Sequence, residues 1–150
     1  MIRNKIAALI FAGVAALYIT GTIPAEGLET GESMDDMVYM LSHIISGEVE
    51  DCDREMKEYV GSVVINRVNS DKFPNTLSEV IFQPGQYAPT WDGNYYKEPG
   101  EETIEVAKDL LENGSKLPED VVFQAEFVQG SGTYISLLAP NGVTEYFCYG

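Results

Sequence analysis

The sequence predicts an α+β fold, with helices first and a small antiparallel sheet last. Three observations carry this. Apolar residues recur at helical spacing in two stretches between residues 33 and 69, and again from 101 to 113. Residues 83–100 break every period with three glycines and three prolines. From residue 121 the chain turns to β-branched and aromatic residues.

Ser33 opens the first helix, with Asp36 three positions on as in a capping box. The helix runs to about Glu48. Met37, Leu41, Ile44 and Glu48 follow at steps of four, three and four, which places them on one face. Met40 and Ile45 widen that face. The acidic stretch Glu50, Asp51, Cys52, Asp53 interrupts it. A second helix follows from about Arg54 to Asn69, with Met56, Val60, Val63, Val64 and Val68 on one side and Gly61 open to a close neighbour. Pro74 marks a loop, and Thr76 with Glu79 repeats the capping pattern before a short helix ending at Phe82.

QPGQYAPTWDGNYYKEPG, residues 83–100, reads as a long irregular loop. Such loops inside a compact domain are usually functional. A further helix spans about Glu101 to Asn113, with Ile104, Ala107, Leu110 and Leu111 inward and Gly114 as its stop. VVFQAEFV (121–128), TYISLL (133–138) and VTEYFCY (143–149) read as strands. Pro140-Asn141-Gly142 turns the chain between the last two.

Composition narrows the function. Nine basic and 24 acidic residues give a net charge of −15. That excludes nucleic acid and anionic membrane surfaces as partners held by charge, since both need basic patches. Hydrophobic content of 45% and aromatic content of 11% exclude a disordered chain. Arg3 and Lys5 precede the uncharged run IAALIFAGVAALYI, residues 6–19, and the first acidic residue is Glu26. Residues 1–25 are therefore expected to be an export signal, or a membrane anchor if uncleaved. Residues 26–32 form a linker, and one domain occupies 33–150. In an exported protein Cys52 and Cys148 can form one disulfide; two free thiols are the other reading.

The lone histidine, His43, lies off the apolar stripe and is expected at a partly exposed surface. It cannot build a zinc site alone, and no metal or cofactor is expected. The run Glu50 to Glu55 lacks the alternating oxygen ligands and glycine of a calcium loop. What stands out is the carboxylate on the stripe. Held partly in apolar surroundings, Glu48 would keep its proton to higher pH, as a proton donor to a glycosidic oxygen must.

SGE at 46–48, VINRV at 64–68, FPNT at 73–76 and QPGQY at 83–87 occur in this order. Together they resemble the cell wall hydrolase family of the spore cortex-lytic enzymes, from about His43 through the aromatic EYFCY near the C-terminus. The resemblance implies a fold similar to lysozyme-like lytic transglycosylases and places the family's catalytic acid on Glu48. The sequence departs from the family just afterwards. Where the family continues Ala-Arg-Gly-Glu, this chain has Val49-Glu50-Asp51-Cys52.

The implied activity is cleavage of peptidoglycan glycan strands by a monomer. Transglycosylase chemistry would use the muramic acid's own 6-hydroxyl and a single carboxylate, while hydrolysis would need a second, for which Asp92 and Glu126 are candidates. Gln83, Gln86, Tyr87, Trp91 and Tyr96 are the candidate sugar-binding residues: amides bond hydroxyl and acetamido groups, and aromatic faces cover pyranose rings. Tyr87 and Trp91 could equally fill the core beneath the loop. Asn66 joins the candidates, or with Arg67 holds the cleft wall. Two alternatives stay open: a non-catalytic, membrane-anchored wall-binding module, and a phage lysis enzyme with the same chemistry.

Overall fold

A computed structural model describes residues 31–150; the signal or anchor expected in residues 1–25, and the linker up to residue 30, lie outside the described residues. Among the described residues, five α-helices precede three strands: α1 Met34–Val49, α2 Arg54–Val68, α3 Leu77–Ile81, α4 Pro89–Asp92, α5 Glu101–Asn113, β1 Val121–Ala125, β2 Thr133–Leu138 and β3 Thr144–Tyr149. The α+β class expected from the sequence is the class observed.

Local chemistry sets the helix starts. The Ser33 hydroxyl accepts the Asp36 amide at 3.1 Å, and the Asp36 carboxylate turns back to the Ser33 amide. Asp53 caps α2 through the Met56 amide at 3.0 Å, and Thr76 caps α3 through the Glu79 amide at 3.2 Å. Each cap satisfies a backbone donor that the helix cannot. The start of α5 is capped from elsewhere in the chain. The Glu50 carboxylate, just past α1, accepts the Gly100 amide at 2.9 Å and the Thr103 hydroxyl at 3.0 Å.

Helices α1, α2 and α5 pack on one another around Leu41, Ile44, Ile45, Val60, Val64 and Leu110, all fully buried. Gly61 makes this possible: a β-carbon there would collide with Leu110 and Ile45. The sheet has the order β1-β3-β2, antiparallel throughout. Phe147 of β3 anchors it to the core, with Tyr59 of α2 against its ring. At the β2–β3 turn Gly142 takes φ 85°, and the Val143 amide donates to the Asn141 side chain at 2.9 Å.

Two expectations are corrected. Residues 83–100 are not wholly irregular: they hold α4 and a 3-10 turn, Asn94–Tyr96. That segment folds back over α1 and gives the helix a second buried face. His43 is consequently buried, not surface-exposed. Its Nδ1–H donates to the Tyr95 carbonyl, and its ring lies 4.0 Å from that of Tyr39. Of the two readings left open for the cysteines, the structure has free thiols at both Cys52 and Cys148. Cys52 faces Leu137–Pro140 at one end of β2, whereas Cys148 pairs with Thr133 at the other.

Candidate active site

The apolar stripe of α1 carries Met37, Leu41 and Ile44 into the core, and the same periodicity brings Glu48 to the last turn, half-buried. There it lines a cleft of about 460 Å³ together with Ser46, Asn94, Lys97, Ala139 and Asn141. The cleft lies between the end of α1, the segment after α4 and the β2–β3 turn. Gly47 is what lets α4 sit so close, because a β-carbon on it would stand 2.5 Å from the Cβ of Pro89.

Burial pushes the Glu48 carboxyl up to about 7, and the negative charges of Glu145 and Asp92 push the same way against the opposing charge of Arg67. The helix adds to this qualitatively. The last turn of α1 is the negative end of the helix dipole and has no basic residue, an environment that disfavours an anion. Such a group is a proton donor and, once ionised, a proton acceptor within the neutral range. Glu50, two residues on, behaves oppositely. Burial alone would raise its carboxyl, but hydrogen bonds from Ser46, the Gly100 amide and Thr103, with the charge of Lys57, hold it below the ordinary range.

Arg67 organises the ground beneath the site. It is buried, donates from Nε to the Val122 carbonyl at 2.7 Å, and donates from Nη1 to Gln86 Oε1 at 3.1 Å and to the Tyr87 hydroxyl at 3.2 Å. The rings of Phe73, Tyr87 and Phe123 surround its guanidinium. The carbonyl, the two side-chain oxygens and the ring faces together make burying the cation tolerable.

The other sequence candidates separate. Asn66 is buried, and its amide donates to the carbonyls of Pro118 at 2.8 Å and Val121 at 2.9 Å, which makes it a strut between α2 and β1 instead of a sugar ligand. Tyr87 is likewise buried beneath the loop, where its hydroxyl serves Arg67. Gln86, Trp91 and Tyr96 are exposed on the segment beside the cleft without lining it. Gln83 is half-buried with its Oε1 unpartnered, in a shallow apolar depression with Phe82 and Pro74. Asp92 is exposed, accepts the Asn94 amide at 2.8 Å and acts on Glu48; Glu126 acts on Glu145.

Glu145 is the carboxylate that sequence reasoning passed over. The signal was available: it is the one acid in VTEYFCY and shares strand parity with Phe147, so it faces inward.

A helical domain with a small sheet, and a protonatable glutamate on the wall of a cleft, define the class. The Cell Wall Hydrolase family profile matches residues 53–136, and the chain belongs to that family. The matched span begins after Glu48. Among curated relatives, the spore cortex-lytic enzyme of Oceanobacillus iheyensis is 32% identical over 92 residues, 61% of this chain and 33% of that protein. That of Bacillus subtilis is 30% identical over 99 residues, 66% of this chain and 32% of that protein. The chain thus spans about a third of the length of these relatives. The fold matches the catalytic domain of the Bacillus cereus SleB protein at TM-score 0.59 and 24% identity, covering 76% of this chain and 90% of that one. It also matches the catalytic domain of the germination-specific lytic transglycosylase SleB from Bacillus anthracis at TM-score 0.60 and 24% identity, covering 78% and 97%.

Proposed function

We propose that this chain cleaves peptidoglycan glycan strands, with Glu48 as general acid and then general base. The observation that carries the proposal is the half-buried Glu48 carboxyl on the cleft wall, which burial pushes up to about 7. Membership of the Cell Wall Hydrolase family supports it.

In this reading the Glu48 O–H gives its proton to the oxygen joining N-acetylmuramic acid to N-acetylglucosamine. The C1–O bond breaks as that oxygen leaves as a hydroxyl. The Glu48 carboxylate then takes the proton of the muramic acid 6-hydroxyl, whose oxygen closes on C1. An anhydro sugar forms, Glu48 is protonated again, and no water is consumed. Hydrolysis is the second reading, favoured by the two carboxylates, Asp92 and Glu145, that act on Glu48. The work is extracytoplasmic, and residues 1–25 deliver the catalytic domain as a signal or anchor.

The test is turbidity loss of purified peptidoglycan. The native chain is expected to clear it. Glu48→Gln is nearly isosteric, keeps the fold and lacks the transferable proton, so clearing is expected to fall by about 100-fold or more. An active, folded Glu48→Gln protein overturns the assignment.

A further inference from the structure

We propose that Lys97 sets substrate specificity, binding a carboxylate borne on the lactyl arm of the muramic acid whose glycosidic bond is cut. The proposal rests on the glycan-cleavage reading and names the part of the substrate that the cleft selects.

Lys97 sits on a strap that α1 holds at both ends. At one end the His43 Nδ1–H donates to the Tyr95 carbonyl, and the Tyr95 ring is buried. At the other end the Glu50 carboxylate accepts the Gly100 amide at 2.9 Å and the Thr103 hydroxyl at 3.0 Å. His43 and Glu50 stand two turns apart on the helix, with Glu48 between them in the chain. Between the two anchors the Lys97 amide donates to the Asn94 carbonyl at 3.1 Å, closing the 3-10 turn, and Pro99 stiffens the chain that follows. The strap is thus fixed to the same helix that carries the acid. Asn94, Lys97 and Glu98 all line the cleft with Glu48.

Among the described residues that line the cleft, Lys97 is the only cation, and it shares the lining with Glu50, Asp51 and Glu98 as well as Glu48. Yet it makes no ion pair with any of them, and its side chain is exposed. Glu50 is already committed to the start of α5. The other cations nearby are used by the fold: Lys57 is buried against Glu102, and Arg67 is buried among carbonyl and hydroxyl oxygens. Lys97 therefore holds a charge that the fold does not use, at a fixed place in the cleft.

The substrate supplies the matching group. The muramic acid ring that Glu48 attacks at C1 carries its lactyl ether on C3, so the arm leaves the very ring seated in the cleft. Its carboxylate is the lactyl group's own where the arm is free, and the attached peptide's where it is substituted. An anion entering a chain of net charge −15 is repelled nearly everywhere. Lys97 is the cleft's point of attraction, and an ammonium with three donors suits a carboxylate arriving from variable directions.

The experiment uses the full chain, native and as Lys97→Gln and Lys97→Arg, with thermal melts as a check on folding. The substrates are peptide-bearing glycan strands, strands stripped of peptide to free lactyl groups, and both kinds with their carboxylates capped as methylamides. KM and kcat are read from released fragments, and affinity is read from labelled strands bound by the inactive Glu48→Gln chain with and without Lys97→Gln. On carboxylate-bearing strands Lys97→Gln is expected to raise KM and weaken binding about fivefold with kcat little changed. The difference should shrink at high salt, and Lys97→Arg should retain most of the native affinity. On capped strands the native chain and Lys97→Gln should be alike. A loss confined to stripped strands assigns the lactyl carboxylate, and one confined to peptide-bearing strands assigns the peptide's; both support the proposal. A Lys97→Gln chain that loses as much on capped strands, or loses nothing on carboxylate-bearing ones, overturns it. A native chain that binds strands through Lys97 but cleaves none overturns the glycan-cleavage reading and leaves the carboxylate site standing.

Discussion

Gly47 and Pro89 are packed so closely that no side chain fits between them: a β-carbon on Gly47 would stand 2.5 Å from the Cβ of Pro89 and 2.8 Å from its Cγ. The contact seats α4, which carries Asp92, on the last turn of α1, one residue before Glu48. Gly47→Ala gains helix propensity of about 1 kcal/mol but must push α4 away, at about 1–3 kcal/mol. A lower denaturation midpoint and weaker clearing of peptidoglycan are expected together. An alanine variant at least as stable and as active as the native chain would show that the contact is slack.

Glu50 ties the end of α1 to the start of α5. Its folded carboxyl titrates below the ordinary range, so its stabilisation is present above the unfolded pKa and is lost as pH falls through the folded one. Glu50→Ala is expected to cost about 1–2 kcal/mol at pH 7. The cost should shrink in acid, where the native carboxylate is protonated too. Thermal melts of both proteins at neutral and acid pH check this; an equal loss at both would rule out the charged cap.

Glu48 has the opposite sign. Its carboxyl is raised to about 7, so the folded state binds the proton more tightly and stability falls as pH climbs from the unfolded carboxylate range towards 7. Glu48→Gln removes that penalty. The variant is expected to melt higher than the native chain at alkaline pH, by an amount of about 1–3 kcal/mol, and to match it near pH 4. A variant that is less stable at alkaline pH would contradict a buried, proton-retaining Glu48.

Much of this architecture was readable because it is set locally. The Ser33 and Thr76 caps and the Asn141-Gly142 turn each act over a few residues, and each sits where its chemistry placed it. The position of Glu48 was readable too, since helical period alone carries it from the core to the end of α1. The rest depended on long-range packing. Nothing near His43 announces that residues 83–100 will close over it. Tyr87 reads like a sugar platform until Arg67 is seen to need its hydroxyl, and Asn66 reads like a ligand until Pro118 and Val121 claim its amide. Glu145 could be read from its strand parity with Phe147, and the register of β2 against β3 bears that parity out.

Arg67 is the buried cation that opposes the carboxylates around Glu48. Arg67→Met leaves the Val122 carbonyl and the Tyr87 hydroxyl without their donor, at about 2–4 kcal/mol. It should also raise the Glu48 titration further. Arg67→Lys is expected to recover little of the stability, because an ammonium cannot supply the same directed donors at once. Urea denaturation with a parallel carboxyl titration separates the two effects. A lysine variant as stable as the native chain would contradict the role given to the guanidinium.

The claim that one glutamate performs the chemistry is tested most directly by the product. Glycan strands digested by the native chain and analysed without reduction by mass spectrometry are expected to end in 1,6-anhydro-muramic acid, lighter than a hydrolysed end by one water. Glu48→Gln should release none. Reducing muramic acid ends would contradict the single-glutamate route, because water would then be the nucleophile and a second carboxylate such as Asp92 or Glu145 would have to activate it.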